Sequence, residues 1–143
     1  MHVTIQDGRS VEFPDRTAEI EIHREAARKY YAQSDFARAR SSYFKWVESV
    51  RQQNVNTGGQ LQRELNEAKR EYSEFVKTDP LYQQIRDAAI AKIQEQPGIL
   101  QTDMYKALPE FDRSDIMYAM YFADDHGAIV RTKKGRTYSQ SLP

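Results

Sequence analysis

The chain contains no cysteine. That removes disulfide frameworks, thiolate metal sites and cysteine nucleophiles, and leaves redox chemistry without a carrier of its own. It has no excess charge either: lysine plus arginine and aspartate plus glutamate both total 21, so the field of the whole chain draws no polyanion from a distance. The balance holds on each side of Pro80, with 13 basic and 13 acidic side chains in residues 1–79 and 8 of each in residues 80–143. Any nucleic-acid contact must therefore be local. No apolar run approaches the ~18 residues that cross a bilayer, and Met1–Asp7 has neither a basic n-region nor an apolar h-region. The expectation is a cytoplasmic protein with no membrane partner.

Catalytic signatures are missing as well. There is no glycine-rich phosphate loop and no G-x-S-x-G elbow. His2, His23 and His126 are isolated, without metal-ligand spacing, and read as surface histidines. Glu19, Glu21 and Glu25 around His23 lie where acidic residues support a helix start, which accounts for them without a carboxylate site. The expectation is a non-enzymatic protein with no catalytic residue, metal or cofactor.

What is present describes a globular chain, with 143 residues, 39% hydrophobic and 29% charged, enough for one ordinary domain or two very small ones. His2 to Phe13 alternates around Asp7-Gly8, with Val3, Ile5, Val11 and Phe13 apolar; Asp-Gly is a hairpin turn signal. Pro14-Asp15-Arg16-Thr17 then opens a helix that Asp15 or Thr17 can cap.

From Ala27 the spacing is specific. Ala27, Tyr30, Phe36, Ala39, Tyr43 and Trp46 fall as A-x2-Y-x5-F-x2-A-x3-Y-x2-W across a turn at Gln33-Ser34-Asp35. Small residues let two helices approach while aromatic rings fill the space between them. This stretch resembles a single tetratricopeptide helical hairpin, with Trp46 where that family has a small residue and no second 34-residue copy in the chain. The implication is an αα-hairpin rather than a solenoid. A three-helix domain of the microtubule-interacting-and-transport type is similar in the same way.

Asn54-Val55-Asn56-Thr57-Gly58-Gly59 reads as a loop. Leu61, Leu65, Ala68, Tyr72 and Phe75 follow with 4-3-4-3 spacing, a narrow apolar seam along one helix. The seam either packs on the preceding hairpin or, through Leu61, Leu65, Tyr72 and Phe75, joins two copies into a homodimer. Thr78-Asp79-Pro80 is a capped helix start with proline in the first turn, and it divides an N-terminal helical interaction domain (1–79) from a C-terminal domain (80–143). The first helix of the latter, carrying Leu81, Ile85, Ala88, Ala89 and Ile93, stops at Gln96-Pro97-Gly98.

After Ile99 the sequence predicts a short helix from about Thr102 to Leu108 and a turn at Pro109-Glu110-Phe111. A second helix follows from an Asp112 cap, with Ile116, Ala119, Met120 and Ala123 inward and Gly127 as a left-handed C-terminal cap. A strand through Arg131, a tight turn at Lys133-Lys134-Gly135-Arg136 and a return through Thr137–Gln140 complete a basic hairpin. In order, length and glycine placement, residues 81–142 resemble the winged helix-turn-helix domains of bacterial and phage-type transcription regulators. The resemblance implies a mainly α, α+β protein whose second helix enters the major groove of double-stranded DNA while its wing touches phosphates. Carried over by position, Arg113, Ser114, Met117, Tyr118 and Tyr121 form the outward helix face, and Arg131, Lys133, Lys134 and Arg136 occupy the wing. Thr102 and Lys106 reach the backbone from the shorter helix.

Asp112, Asp115, Asp124 and Asp125 surround the one arginine of that second helix, an arrangement that repels phosphate. Other readings follow from this. Met117, Tyr118 and Tyr121 form a protein-binding stripe of an interaction adaptor or complete the core against the N-terminal helices, or the tyrosines stack on single-stranded nucleic acid.

Overall fold

The computed structural model describes residues 2–4, 10–12 and 15–143, the first two segments in their backbone only. The described residues form a mainly helical α+β protein. It divides into two compact units, Met1–Phe75 and Val76–Pro143.

In the first unit, β1 (His2–Thr4) and β2 (Ser10–Glu12) pair antiparallel, with Val3 opposite Val11. The Asp7-Gly8 turn expected between them lies outside the described residues. Helix α1 (Thr17–Ala32) is preceded by Asp15, whose carboxylate accepts from the Thr17 amide at 3.0 Å and its hydroxyl at 2.7 Å. Those bonds favour the charged form and hold Asp15 below the usual carboxylate range. Ser34 turns the chain with a φ of +56°, and Asp35 caps helix α2 (Phe36–Asn56) by accepting from the Arg38 amide at 3.2 Å.

The α1–α2 pair is closed by Ala27 and Ala39, both fully buried, as the small-residue spacing predicts. Rings fill the remainder. Tyr43 stacks on Phe75 at 4.9 Å and on Tyr72 at 5.9 Å, Tyr31 meets Phe75 edge-on at 5.2 Å, and Trp46 lies 6.0 Å from Tyr43. Tyr72 and Phe75 come from helix α3 (Gln62–Thr78), so the apolar seam packs within the chain. Leu65, Ala68, Tyr72 and Phe75 are buried and Leu61 is half-buried. The homodimer reading of Leu61, Leu65, Tyr72 and Phe75 is corrected accordingly: this apolar surface is already removed from water by the chain's own aromatic rings.

The loop read at Asn54–Gly59 starts later than the sequence suggested. Asn54, Val55 and Asn56 are the last turn of α2, and Asn54 is buried because its side chain ties that turn to α3, accepting from the Leu61 amide at 2.8 Å and donating to Gln62 at 3.2 Å. A residue type common in turns serves here as a tertiary bracket.

The second unit follows from the end of α3. Asp79 accepts from the Leu81 amide at 3.1 Å and caps helix α4 (Pro80–Glu95), with proline in its first turn. Strand β3 (Ile99–Leu100) leads directly into α5 (Gln101–Ala107), then α6 (Arg113–Asp125), β4 (Val130–Lys134) and β5 (Thr137–Ser141). The sheet order is β3-β5-β4, antiparallel throughout, with Ile99 opposite Gln140 and Lys134 opposite Thr137. Strand β3 was not visible in the sequence, where two residues beside Gly98 carry no periodicity. Asp112 stands at the N-cap of α6 but makes no side-chain cap bond.

Helix α6 ends as the glycine placement predicts. Gly127 has a φ of +78°, its amide bonds the Asp124 carbonyl at 3.1 Å, and the Ala128 amide bonds the Ala123 carbonyl at 2.8 Å. This paired closure satisfies two carbonyls that the helix itself cannot. The interior is largely aliphatic: Ile85, Ala89 and Ile93 of α4 are buried, as are Met104, Leu108, Ile116, Ala119, Met120, Ala123 and Ile129, with the rings of Tyr82 and Phe122 among them.

Candidate nucleic-acid interface

The β4–β5 register leaves Gly135 and Arg136 as a two-residue loop, and Gly135 takes a φ of +59° that an L side chain adopts only at a cost. Lys133, Lys134 and Arg136 are exposed around this turn. None of the three has an ion-pair partner among the described residues. Chemically, the turn is a compact group of solvated cations on a short hairpin, able to displace the counterions of a phosphate backbone. Lysines on the edge strand β4 also discourage pairing with a foreign strand.

Arg131 departs from the expectation. By position it is one of four wing cations, yet its side chain is only 11% exposed. Nε donates to Asp124 at 3.4 Å, Nη1 donates to the Gln101 side-chain carbonyl at 3.3 Å, and the guanidinium lies 4.3 Å from the Tyr138 ring centre. Its charge is directed into the unit, leaving three free cations on the hairpin.

On α6 the expected outward face is mostly outward. Arg113 and Ser114 are exposed in the first turn, and Met117 and Tyr121 follow at 48% and 53% exposure. Tyr118 is the correction: it is half-buried, and its hydroxyl donates to Asp79 Oδ2 at 2.8 Å, so it closes the unit instead of facing a ligand. Asp79 is fully buried, and a donor to such a carboxylate is worth more than a contact to solvent. Arg113 lies 4.7 Å from the Tyr105 ring centre, which spans α5 and α6. Thr102 and Lys106 are both exposed, one turn apart on α5.

The four acidic residues near this face differ in setting. Asp124 is engaged by Arg131 and Asp115 is half-buried, while Asp112 and Asp125 are exposed. The helix face is thus apolar with one arginine, and the cationic character belongs to the hairpin.

Sequence reasoning missed the polar side chains behind the hairpin. Gln101 Oε1 accepts from both Arg131 of β4 and Gln140 of β5, the latter at 3.0 Å, while Gln101 Nε2 donates to the Tyr105 hydroxyl at 2.8 Å. Only the i,i+4 spacing of Gln101 and Tyr105 was legible in advance. His126, read as a surface histidine, is half-buried, with Nδ1 3.0 Å from the Tyr82 hydroxyl. Burial pushes the Tyr82 phenol up from its ordinary range. In the first unit, His23 lines a shallow groove of about 310 Å³ with Arg16, Phe44, Lys45, Glu48, Ser49 and Gln52.

Among the described residues, no three histidine, aspartate or glutamate side chains come together as a metal-ligand set. No described helix is long and apolar enough to cross a membrane. No protein-family model matches the chain, and no curated protein or solved structure matches it either.

Proposed function

We propose that residues 80–143 are a winged helix-turn-helix and that the protein is a non-enzymatic, cytoplasmic, sequence-specific DNA-binding regulator of bacterial or phage type. The order α4-β3-α5-α6-β4-β5, with the last two strands as a hairpin on a small sheet, supports the reading. The observation that carries it is the set of three exposed cations around the Gly135 turn, without an ion-pair partner among the described residues, on a protein with no net charge. In this reading Lys133, Lys134 and Arg136 bind phosphates, Thr102 and Lys106 add backbone contacts, and Arg113, Ser114, Met117 and Tyr121 face the groove.

The test is selection from random-sequence duplex DNA at near-physiological salt, run beside a K133E/K134E/R136E variant. An enriched motif lost in the variant supports the reading; each phosphate contact removed lowers the salt slope by about 0.9. Binding that is unchanged by the charge reversal sinks it.

A second reading, a protein-interaction adaptor, is favoured by the neighbouring exposure of Met117 and Tyr121 on α6. M117A/Y121A then abolishes capture of a partner without lowering stability, and a variant that still captures that partner counts against it. Preference for single strands in competition with duplex supports base stacking on Tyr121 instead.

A further inference from the structure

Strand β4 is the outer strand of the sheet, and four of its five side chains, Val130, Thr132, Lys133 and Lys134, are exposed. Arg131 alone turns inward, at 11% exposure. Without that side chain, β4 keeps its backbone ladder to β5 and one long bond from the Arg131 amide to Asp124 Oδ1 at 3.4 Å, and an edge strand held so lightly twists and bends readily.

We propose that Arg131 is a positioning residue for the basic turn. Tied to Asp124 on α6 and Gln101 on α5, and laid over Tyr138 on β5, it fixes the direction in which Lys133, Lys134 and Arg136 are presented. The functional consequence rests on the DNA-binding reading above; the anchoring rests on geometry alone.

Three observations carry the anchoring. The planar guanidinium sends two donors to two different helices, Nε to Asp124 at 3.4 Å and Nη1 to Gln101 at 3.3 Å. These are long for charge-assisted bonds, and the 4.3 Å approach to Tyr138, with a further 5.7 Å approach to Tyr121, completes the clamp by covering the cation. Gln101 Oε1 also accepts from Gln140, which is fully buried, so both strands of the hairpin meet at one oxygen on α5. Tyr105 holds that amide through its hydroxyl. A phosphate reaching the Arg131 guanidinium would have to displace Asp124 and Gln101, whereas Lys133, Lys134 and Arg136 have no ion-pair partner among the described residues to give up.

R131Q, R131K, D124N and R131Q/D124N separate positioning from direct contact. Amide hydrogen exchange on the free protein is the first readout: exchange across residues 130–137 accelerates about tenfold or more in each single variant, the effect of one lost charge-assisted bond, while α4 amides stay unchanged. The double variant is no worse than R131Q, because the two side chains act as one unit. Binding of a random-sequence duplex across a salt series is the second. R131Q weakens it about tenfold with the log–log salt slope unchanged, whereas K133Q lowers that slope by about 0.9. D124N also weakens binding, although it removes a charge that repels DNA.

A lower slope in R131Q with unaltered exchange, or tighter binding by D124N with unaltered exchange, overturns the proposal and makes Arg131 a phosphate ligand. If R131Q does not fold, R131K and D124N carry both readouts. If the wild-type protein binds no duplex, the DNA reading fails and the exchange arm still decides the anchoring.

Discussion

In the N-terminal unit the interior is built from rings: Tyr43 lies between Phe75 and Tyr72, with Tyr31, Phe36 and Trp46 at its margins. In the C-terminal unit it is largely aliphatic, with Tyr82 and Phe122 as its buried rings, and polar side chains are bonded across it, Tyr118 to Asp79, Tyr82 to His126, and Arg131 with Gln140 to Gln101. Apolar burial is non-directional and stabilises helices against one another without demanding a particular angle. Hydrogen bonds to buried partners are directional and expensive to leave unmade. The C-terminal unit, whose hairpin is tied to its helices by such bonds, also carries Lys133, Lys134 and Arg136 exposed around the hairpin turn.

The largest break in this comparison is Phe75→Ala. It removes a fully buried ring that touches Tyr31, Phe36 and Tyr43, at a cost of about 3–5 kcal/mol. Urea denaturation followed through Trp46, the single tryptophan, reads the loss. A cost under 1 kcal/mol would mean that the rings do not form a shared core.

Tyr118→Phe tests the directional side. It deletes a hydroxyl donor to the fully buried Asp79 and adds no volume, so destabilisation of roughly 1.5–3 kcal/mol is expected, seen as faster amide exchange in α4 and α6. Equal stability would place Tyr118 with the surface residues after all. By contrast, glutamine at Lys133 and Lys134 changes stability by no more than about 0.5 kcal/mol, because these exposed side chains add little to the fold.

Alkaline pH sharpens the difference. Burial pushes the Tyr43 phenol far above its ordinary range, and the Glu71 carboxylate adds to the shift. Its folded pKa is raised, so its contribution is complete below about pH 10, where the unfolded phenol titrates, and is lost as pH rises beyond that. Tyr82 is raised in the same sense by burial. Y43F therefore reduces the alkaline sensitivity of Trp46-monitored unfolding, and Y82F reduces that of α4 exchange. Identical profiles in wild type and variants would remove both tyrosines from the account.

A small effect also belongs to the Arg28–Glu71 ion pair at 2.9 Å, whose side chains are 57% and 32% exposed. Glu71 raises the Arg28 pKa through their hydrogen bond, yet solvent screens the pair, and Arg28→Ala costs about 1 kcal/mol or less, falling with added salt.

Much of the fold was legible because its signals are local. The helical spacing of Ala27, Ala39 and Tyr43, the proline after Asp79 and the left-handed glycines at 127 and 135 each state a backbone requirement within a few residues. Inward and outward positions on α6 were legible for Ile116, Ala119, Met117 and Tyr121 for the same reason. Tyr118 and Arg131 were misread because neither sequence neighbours nor periodicity reveal that Asp79 and Gln101, 39 and 30 residues away, stand opposite them. Asn54 was misread because its type suits a turn, and its bracket to Leu61 exists only once α3 has docked.

The sequence by itself determined the helices, most of their ends, the basic turn and the absence of thiol chemistry, since these depend on steric preference, spacing and composition. Tertiary structure decided that the Leu65–Phe75 seam is spent inside the chain and that one hairpin cation of four faces inward. Both outcomes depend on which surfaces remain wet after packing. Burial and pairing are properties of the assembled neighbours, and no residue carries them alone.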